Sequence, residues 1–106
     1  MYKICVYAPE NSVEKIKQAL FDAGAGKIGN YDSCCWQTDG VGQFRPLDGS
    51  SPAIGSLDEI ERVREVKVEM VCADDLIKDA VQAIKDSHPY ETPAFDVLKI
   101  HNVLSY

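Results

Sequence analysis

Strict alternation of apolar and polar side chains is the strongest pattern in the chain, and it predicts two β-strands. Over residues 64–73 every second side chain is apolar, and most of the positions between them are charged. The apolar set is Val66, Val68, Met70 and Cys72, and the charged set is Glu65, Lys67 and Glu69. One face of this strand is therefore buried and the other is partly wet, which is typical of an antiparallel sheet. Residues 2–7 alternate in the same way up to Pro9 and predict an earlier strand.

Apolar residues at helical spacing predict two amphipathic helices. The first ends at the glycines that begin with Gly24, and the second ends at His88, because a residue before proline is disfavoured in the α region. The predicted N-terminal caps are Asn11 with Glu14 for the first helix, and Asp74 or Asp75 for the second. The predicted inward stripes are Val13, Ile16, Ala19, Leu20 and Ala23, and then Ile77, Ala80, Val81 and Ile84.

The hydrophobic periodicity weakens between residues 29 and 55, where five of the seven glycines lie. We interpret this stretch as a strand over residues 31–38, a tight turn at Asp39-Gly40 and a short returning strand over residues 43–45. Asp-Gly supplies the positive φ angles that a two-residue turn needs. The central region is therefore predicted to carry an additional β-hairpin, followed by a loop to about Leu57.

The order of these elements predicts the fold class. A last strand over about residues 95–103 completes two βαβ halves within one domain, residues 1–106. Two such halves fold as a ferredoxin-like βαββαβ sandwich of the α+β class, with both crossover helices on one face of an antiparallel sheet.

The sheet face turned away from the helices has no partner within this predicted fold. It carries Cys5, Tyr7 and Val71 beside Lys67 and Glu69. A half-apolar face of this kind favours a homo-oligomer, in which each copy covers its neighbour. The alternative is a monomer in which the charged side chains keep the face solvated.

Charge and cysteine content limit the classes of function. The chain has 11 basic and 17 acidic residues and a net charge of -6, which disfavours binding to a nucleic-acid backbone. No stretch of about 18 apolar residues is present to span a membrane, and the first apolar segment is too short for a secretory signal, so we expect a cytoplasmic protein. The four cysteines form no C-x-x-C pair, so buried reduced thiols are favoured over disulfides or a zinc site.

His88 and Glu91 are candidate ligands for a divalent metal ion, a cofactor that is implied by the family resemblance described below. His88 would need partners such as Glu91 or a cysteine of a neighbouring subunit. The alternative for His88 is a turn locked by Pro89. The alternative for Glu91 is an ion pair at a subunit boundary.

Five further side chains are candidate ligand-binding or interface residues. Arg45 could hold an anion or a carboxylate in a two-point contact, or form a surface ion pair. Trp36 and Phe44 lie on the two arms of the predicted hairpin, where they could cover a pocket or pack across the strands. Tyr31 and Tyr90 could donate hydrogen bonds across a subunit boundary or serve only in packing.

The sequence also resembles known families. His-Pro-Tyr-Glu at residues 88–91 followed by Pro93 resembles the matching segment of the CutA family, and the whole chain is similar to the PII/CutA-like domain of bacterial YqfO-type (Nif-three-like) proteins, here as a stand-alone chain. The second resemblance rests on residues 29–36, 40–46 and 49–55. It implies a ferredoxin-like fold assembled as a trimer, with clefts between the subunits.

The function that this resemblance implies is a non-catalytic, homo-oligomeric regulatory module. Such a module binds a small ligand, a divalent metal ion or a protein partner in its inter-subunit clefts. The alternative is a metal-dependent hydrolase like the YqfO-type parents, in which a separate, larger domain supplies several histidine and acidic ligands. This chain has only His88 and His101, so that activity is not expected of it. Nucleotide binding as in PII proteins is not expected either, because Arg45 is the only basic residue in the matching loop, residues 39–61.

Overall fold

The computed structural model describes residues 1–101, which form four strands and two helices. The elements are β1 Tyr2–Pro9, α1 Val13–Asp22, β2 Trp36–Phe44, β3 Glu61–Cys72, α2 Ile77–Ser87 and β4 Phe95–Lys99, with 3-10 turns at Glu10–Ser12 and Asp74–Leu76. The strands form one antiparallel sheet in the order β2-β3-β1-β4. The predicted α+β, ferredoxin-like fold is confirmed. Neither of the described helices is long and apolar enough to cross a membrane.

The core lies between the two helices and one face of the sheet. In the β1–β3 pair, Ile4 faces Met70 and Val6 faces Val68, so the predicted apolar positions of both strands share one face. The buried cluster comprises Ile4, Val6, Ala8, Val13, Ile16, Leu20, Ala25, Val66, Val68, Met70, Cys72, Ala80 and Ile84. Burial of each large aliphatic side chain contributes roughly 1.5–3 kcal/mol to folding. The alternation and the helical stripes therefore identify most of the core.

The helix starts differ from the predicted caps. The N-cap residues are Ser12 and Leu76, and neither side chain makes a capping hydrogen bond. Each helix instead begins from a 3-10 turn directly after a strand. Asn11 accepts a hydrogen bond from the Ser12 hydroxyl, and Asp74 accepts one from Lys99 Nζ at 2.7 Å. The predicted caps are wrong: Asn11 and Asp74 have other partners, and Asp75 lies inside the 3-10 turn before the helix.

β2 is one continuous strand at the position of the predicted hairpin. Gly40 and Gly42 pair with Glu65 and Val63 of β3, and neither glycine has a positive φ. The additional hairpin is therefore wrong, and the chain reverses in the connection 45–60 instead. Pairing with the long strand β3 keeps the whole of β2 extended, and this pairing outweighs the local turn preference of Asp39-Gly40.

The paired strands β2 and β3 form a ribbon that extends beyond the rest of the sheet. β1 ends at Pro9 opposite Glu65, so the part of β3 before Glu65 pairs with β2 alone. The molecule measures 49 × 24 × 22 Å and has a radius of gyration of 14.9 Å. A compact chain of this length is expected to have about 13 Å. Val41 on this ribbon is 68% exposed, so the helices do not cover it.

β4 is shorter than predicted within the described residues. It spans Phe95–Lys99 and is followed by Ile100, whose N–H donates to the Met1 carbonyl at 3.1 Å. The remaining part of the predicted strand, residues 102–103, lies outside the described residues.

Gly26 fixes the connection between α1 and β2. Its N–H donates to the Val71 carbonyl at 2.8 Å, and its carbonyl accepts from the Cys34 N–H at 2.9 Å. Its φ is +79°, and a Cβ atom would lie 2.8 Å from Cε1 of Phe21 and 2.9 Å from the Cys34 carbonyl oxygen. Only glycine fits this position without strain.

We expect Gly26→Ala to destabilise the fold more than Gly29→Ala. Both positions have positive φ, so each substitution costs about 1–2 kcal/mol in backbone strain. Nothing lies within 4 Å of a Cβ at Gly29, whereas the crowding at Gly26 adds about 1–3 kcal/mol. Urea denaturation measures the difference, and equal losses for the two variants would contradict this account.

Candidate functional site

A cavity of about 470 Å³ opens where the β2–β3 ribbon leaves the rest of the sheet. Its walls come from Tyr7 of β1, Glu65 of β3, residues 42–54 and residues 90–94. Small-molecule sites in proteins usually measure about 300–1,000 Å³. Four of the seven predicted site residues line this cavity, namely Phe44, Arg45, Tyr90 and Glu91. Residues distant in the sequence thus meet at one site.

Trp36 and Tyr31 lie away from the cavity. Trp36 is 70% exposed at the far end of β2 from Phe44, so these two residues do not lie on two arms of a hairpin and do not stack. Phe44 instead packs against Tyr90, with ring centroids 5.9 Å apart and ring planes at 56°. Tyr31 is 75% exposed and its backbone forms a bridge with Ile28 before β2 begins. Their interface role stays a prediction.

His88 supports the cavity from the end of α2. Its side chain is only 7% exposed, and its Nδ1 accepts the N–H of Tyr90 at 3.1 Å. We assign the ring proton to Nε2, which then donates to the Tyr7 carbonyl at 2.7 Å. The imidazole and the Tyr90 ring lie 4.9 Å apart. His88 therefore ties the segment after α2 to the central strand of the sheet.

The same contacts bear on the metal hypothesis. A metal ion at His88 would have to replace one of its two hydrogen bonds to backbone groups. Glu91 is exposed, and its Oε2 accepts the Ser51 N–H at 3.0 Å. Across residues 1–101, no three histidine, cysteine or acidic side chains are grouped as a metal site would require. A divalent metal at His88 and Glu91 stays a prediction. In this structure both side chains form hydrogen bonds to backbone groups.

Glu65 and Gly42 contribute to the cavity although sequence reasoning did not single them out. Glu65 faces Gly40 in the ladder, and its carboxyl group lies over Gly42, where a Cβ atom would be 1.8 Å from Oε1. The sequence signal is a glutamate on the wet face of β3 with two glycines on the neighbouring strand. It can be recognised only once the strand register is known.

Tyr90 places a buried hydroxyl beside this carboxylate. No hydrogen bond of ordinary length and angle joins the hydroxyl to a partner, although Glu65 is close enough to influence it. Burial, followed by the negative charge of Glu65, raises the pKa of Tyr90 to about 12. The phenol is therefore neutral over the physiological range.

The open face of the sheet borders the cavity. On this face Trp36, Glu69, Cys5 and Asp96 are neighbours across the four strands. Thr38, Lys67 and Tyr7 form the adjacent row. Cys5 is nevertheless buried, and burial, with the Glu69 charge as a smaller cause, raises the pKa of its thiol. A second cavity of about 450 Å³ on this face shares Tyr7, Gly42 and Glu65 with the first. The site and the open face are therefore continuous.

Comparisons with known proteins show which proteins this chain is similar to. The GTP cyclohydrolase 1 type 2 homolog of Staphylococcus epidermidis is 42% identical over 105 residues, which cover 99% of this chain and 29% of the relative. The homolog from Bacillus subtilis is 42% identical over 98 residues, which cover 92% of this chain and 26% of the relative. The crystal structure of a Bacillus cereus protein related to NIF3 superposes with a TM-score of 0.82 at 37% identity, covering 95% of this chain and 26% of that one. Along nearly its whole length this chain is similar to one segment of the Nif3-related proteins, and its fold is PII/CutA-like.

The CutA part of this description rests on fold alone. The PII-like protein CutA from Nostoc sp. PCC 7120 matches this chain with a TM-score of 0.70 at 20% identity, covering 100% of this chain and 86% of that one. No protein-family model matches the sequence. This chain spans between 26% and 29% of the length of the two curated relatives, so the activity of the whole relatives does not follow from the match.

We expect His88→Phe to destabilise the fold by about 1–3 kcal/mol. The variant keeps an aromatic ring but leaves the Tyr7 carbonyl and the Tyr90 N–H without partners. Tyr90→Phe is the control, since it removes a hydroxyl that makes no hydrogen bond and keeps the backbone N–H. Urea denaturation of the three proteins measures the effect, and wild-type stability in His88→Phe would contradict the assigned role.

The phenol of Tyr90 is expected to titrate above the usual range of a tyrosine. Its pKa rises from about 10 in the unfolded chain to about 12 in the folded domain. The stabilising contribution is therefore fully present below pH about 10 and is lost as the pH rises through about 12. Ultraviolet titration of the wild type and of Tyr90→Phe measures this. A high-pH transition that persists in the variant would assign it to another tyrosine.

Proposed function

We propose that this chain is a non-catalytic, homo-oligomeric binding module that takes a small ligand at a cleft between subunits. The observation that carries the proposal is the position of the cavity. It is continuous with a sheet face that no other element covers within residues 1–101. A second copy placed on that face would form another wall of the cavity.

The side chains of the open face support self-association. Trp36 is 70% exposed and Leu98 is 52% exposed, and Val71 lies half-buried between them in the sheet. Lys67 Nζ and Glu69 Oε1 lie 3.7 Å apart on the same face, so it presents both charges beside apolar surface. Monomeric proteins rarely leave a continuous surface of this kind uncovered.

The β2–β3 ribbon is a second support for the assembly. It reaches past the helices and exposes Val41, while Leu47, Leu57 and Ile60 are about half exposed in the connection at its end. An element of this length gains stability when it lies against a neighbouring copy. We favour a trimer, in which cyclic symmetry lets each ribbon contact the next subunit.

The polar groups of the cavity are suited to recognition rather than to a reaction. His88, the imidazole nearest to the cavity, contacts backbone groups through both nitrogens, so it is not placed to act as a base. Glu91 is held by a backbone N–H, and Tyr90 is a neutral phenol. For the alternative, a metal-dependent hydrolase, we find no supporting group of ligands in residues 1–101. A cytoplasmic location is part of the proposal and agrees with four free cysteines.

Sedimentation velocity tests the assembly with Val71→Glu and Trp36→Glu. We expect the wild type to sediment at three times the chain mass and both variants to sediment as monomers, because each places a charge inside the interface. Lys78→Gln on the exposed surface of α2 lowers the net charge by the same single unit and serves as the control. Circular dichroism verifies that each variant is folded. A monomeric wild type, or folded variants that sediment like it, would show that this face is not the contact.

A further inference from the structure

Gly42 determines where the Glu65 carboxylate lies. Gly42 has no positive φ, so its backbone conformation does not require glycine. A Cβ atom at this position would lie 1.8 Å from Oε1 and 2.4 Å from Cδ of Glu65. Gly40, on the same face of β2, has nothing within 4 Å of such an atom. The absent side chain at residue 42 therefore makes the space that the carboxyl group occupies.

The Glu65 carboxylate forms no salt bridge within residues 1–101. In residues 1–101 the salt bridges use the carboxylates of Glu14, Glu69 and Asp74 instead. Glu65 is half-buried and lies in the walls of both cavities. A half-buried negative charge is screened less by water than an exposed one, so it attracts a cation more strongly.

The Tyr90 hydroxyl is buried beside Glu65. Because the phenol oxygen is not exposed to the cavity, a ligand there would contact the Glu65 carboxylate and not the hydroxyl. Of these two neighbouring polar groups, Glu65 is therefore the one open to a cation.

The rest of the cavity favours a compact apolar body next to that cation. The apolar lining residues include Phe44, Pro46, Leu47, Pro52, Ala53 and Ile54. Arg45 and Glu91 also line the cavity, but both are exposed, and Glu91 already accepts a backbone N–H. The charged lining groups are thus one cation and two carboxylates, of which Glu65 is the most buried.

We infer that this cavity binds a small organic cation, a protonated amine or amidine on a compact apolar body, with Glu65 as the counter-ion over Gly42. The inference rests on the proposed function, because it names the ligand class for the same site. A phosphate-binding site would instead need positive side chains around the ligand.

Three probes of similar shape test the sign of the charge. Benzylamine is a cation, benzyl alcohol is neutral and benzoate is an anion, and calorimetric titration of the wild type measures their binding. We expect benzylamine to bind at least about ten-fold more tightly than the other two, a difference of about 1.4 kcal/mol. Preferential binding of benzoate that is lost in Arg45→Ala would assign the site to an anion and overturn the inference.

Two glycine variants test the placement of the carboxylate. Gly42→Ala displaces the Glu65 side chain, and we expect it to weaken benzylamine binding about ten-fold, as Glu65→Gln does. Gly40→Ala is the matched control on the same strand and face, and it should bind like the wild type. Wild-type affinity in Glu65→Gln would overturn the inference, as would the absence of benzylamine binding to the wild type.

These experiments distinguish a wrong ligand class from a wrong assembly. Should the wild type sediment as a monomer and still select benzylamine through Glu65, the ligand class stands and the inter-subunit cleft is wrong. Should the protein be a trimer that binds none of the three probes, the ligand class is wrong and the assembly stands.

Discussion

The register of β3 against its two neighbours is the constraint on which the structure depends. β3 pairs with β2 over Glu61–Glu69 and with β1 over Glu65–Cys72, and its alternate side chains lie on opposite faces of the sheet. Val66, Val68 and Met70 bury the core under the helices, while Glu65 and Lys67 occupy the open face. A slip by one residue would place these charges in the core, because the side-chain period of a strand is two. The same register that stabilises the core therefore positions the carboxylate of the cavity.

Features that depend on local periodicity could be predicted from the sequence, and those that depend on distant pairing could not. The alternation in β3 and the helical stripes identified the core and the composition of the open face, because each pattern lies within one element. The turn expected at Asp39-Gly40 is wrong because pairing with β3 keeps that segment extended. The contact between Glu65 and Gly42 joins two strands whose alignment no single segment reveals. Phe44, Arg45 and Tyr90 were recognised as candidates by residue type, but their convergence required the fold.

The cavity lies between the β2–β3 ribbon, the segment after α2 and strand β1. Phe44 at the end of β2 touches Tyr90, and the backbone of Tyr90 is held by His88, which in turn bonds to the carbonyl of Tyr7. The ribbon, the segment after α2 and the central strand are thus joined through three aromatic rings and a backbone carbonyl. An occupant between these parts would fix the angle of the ribbon relative to the sheet. In an assembly, that angle would also change the surface offered to a neighbouring copy.

The two ends of the described fold lie side by side. β1 and β4 are antiparallel neighbours, Tyr2 faces Lys99, and the N–H of Ile100 donates to the carbonyl of Met1. A polypeptide that enters at one of these strands and leaves at the other returns to nearly the same point. A fold of this kind can interrupt a surface loop of a host protein without pulling the loop ends apart.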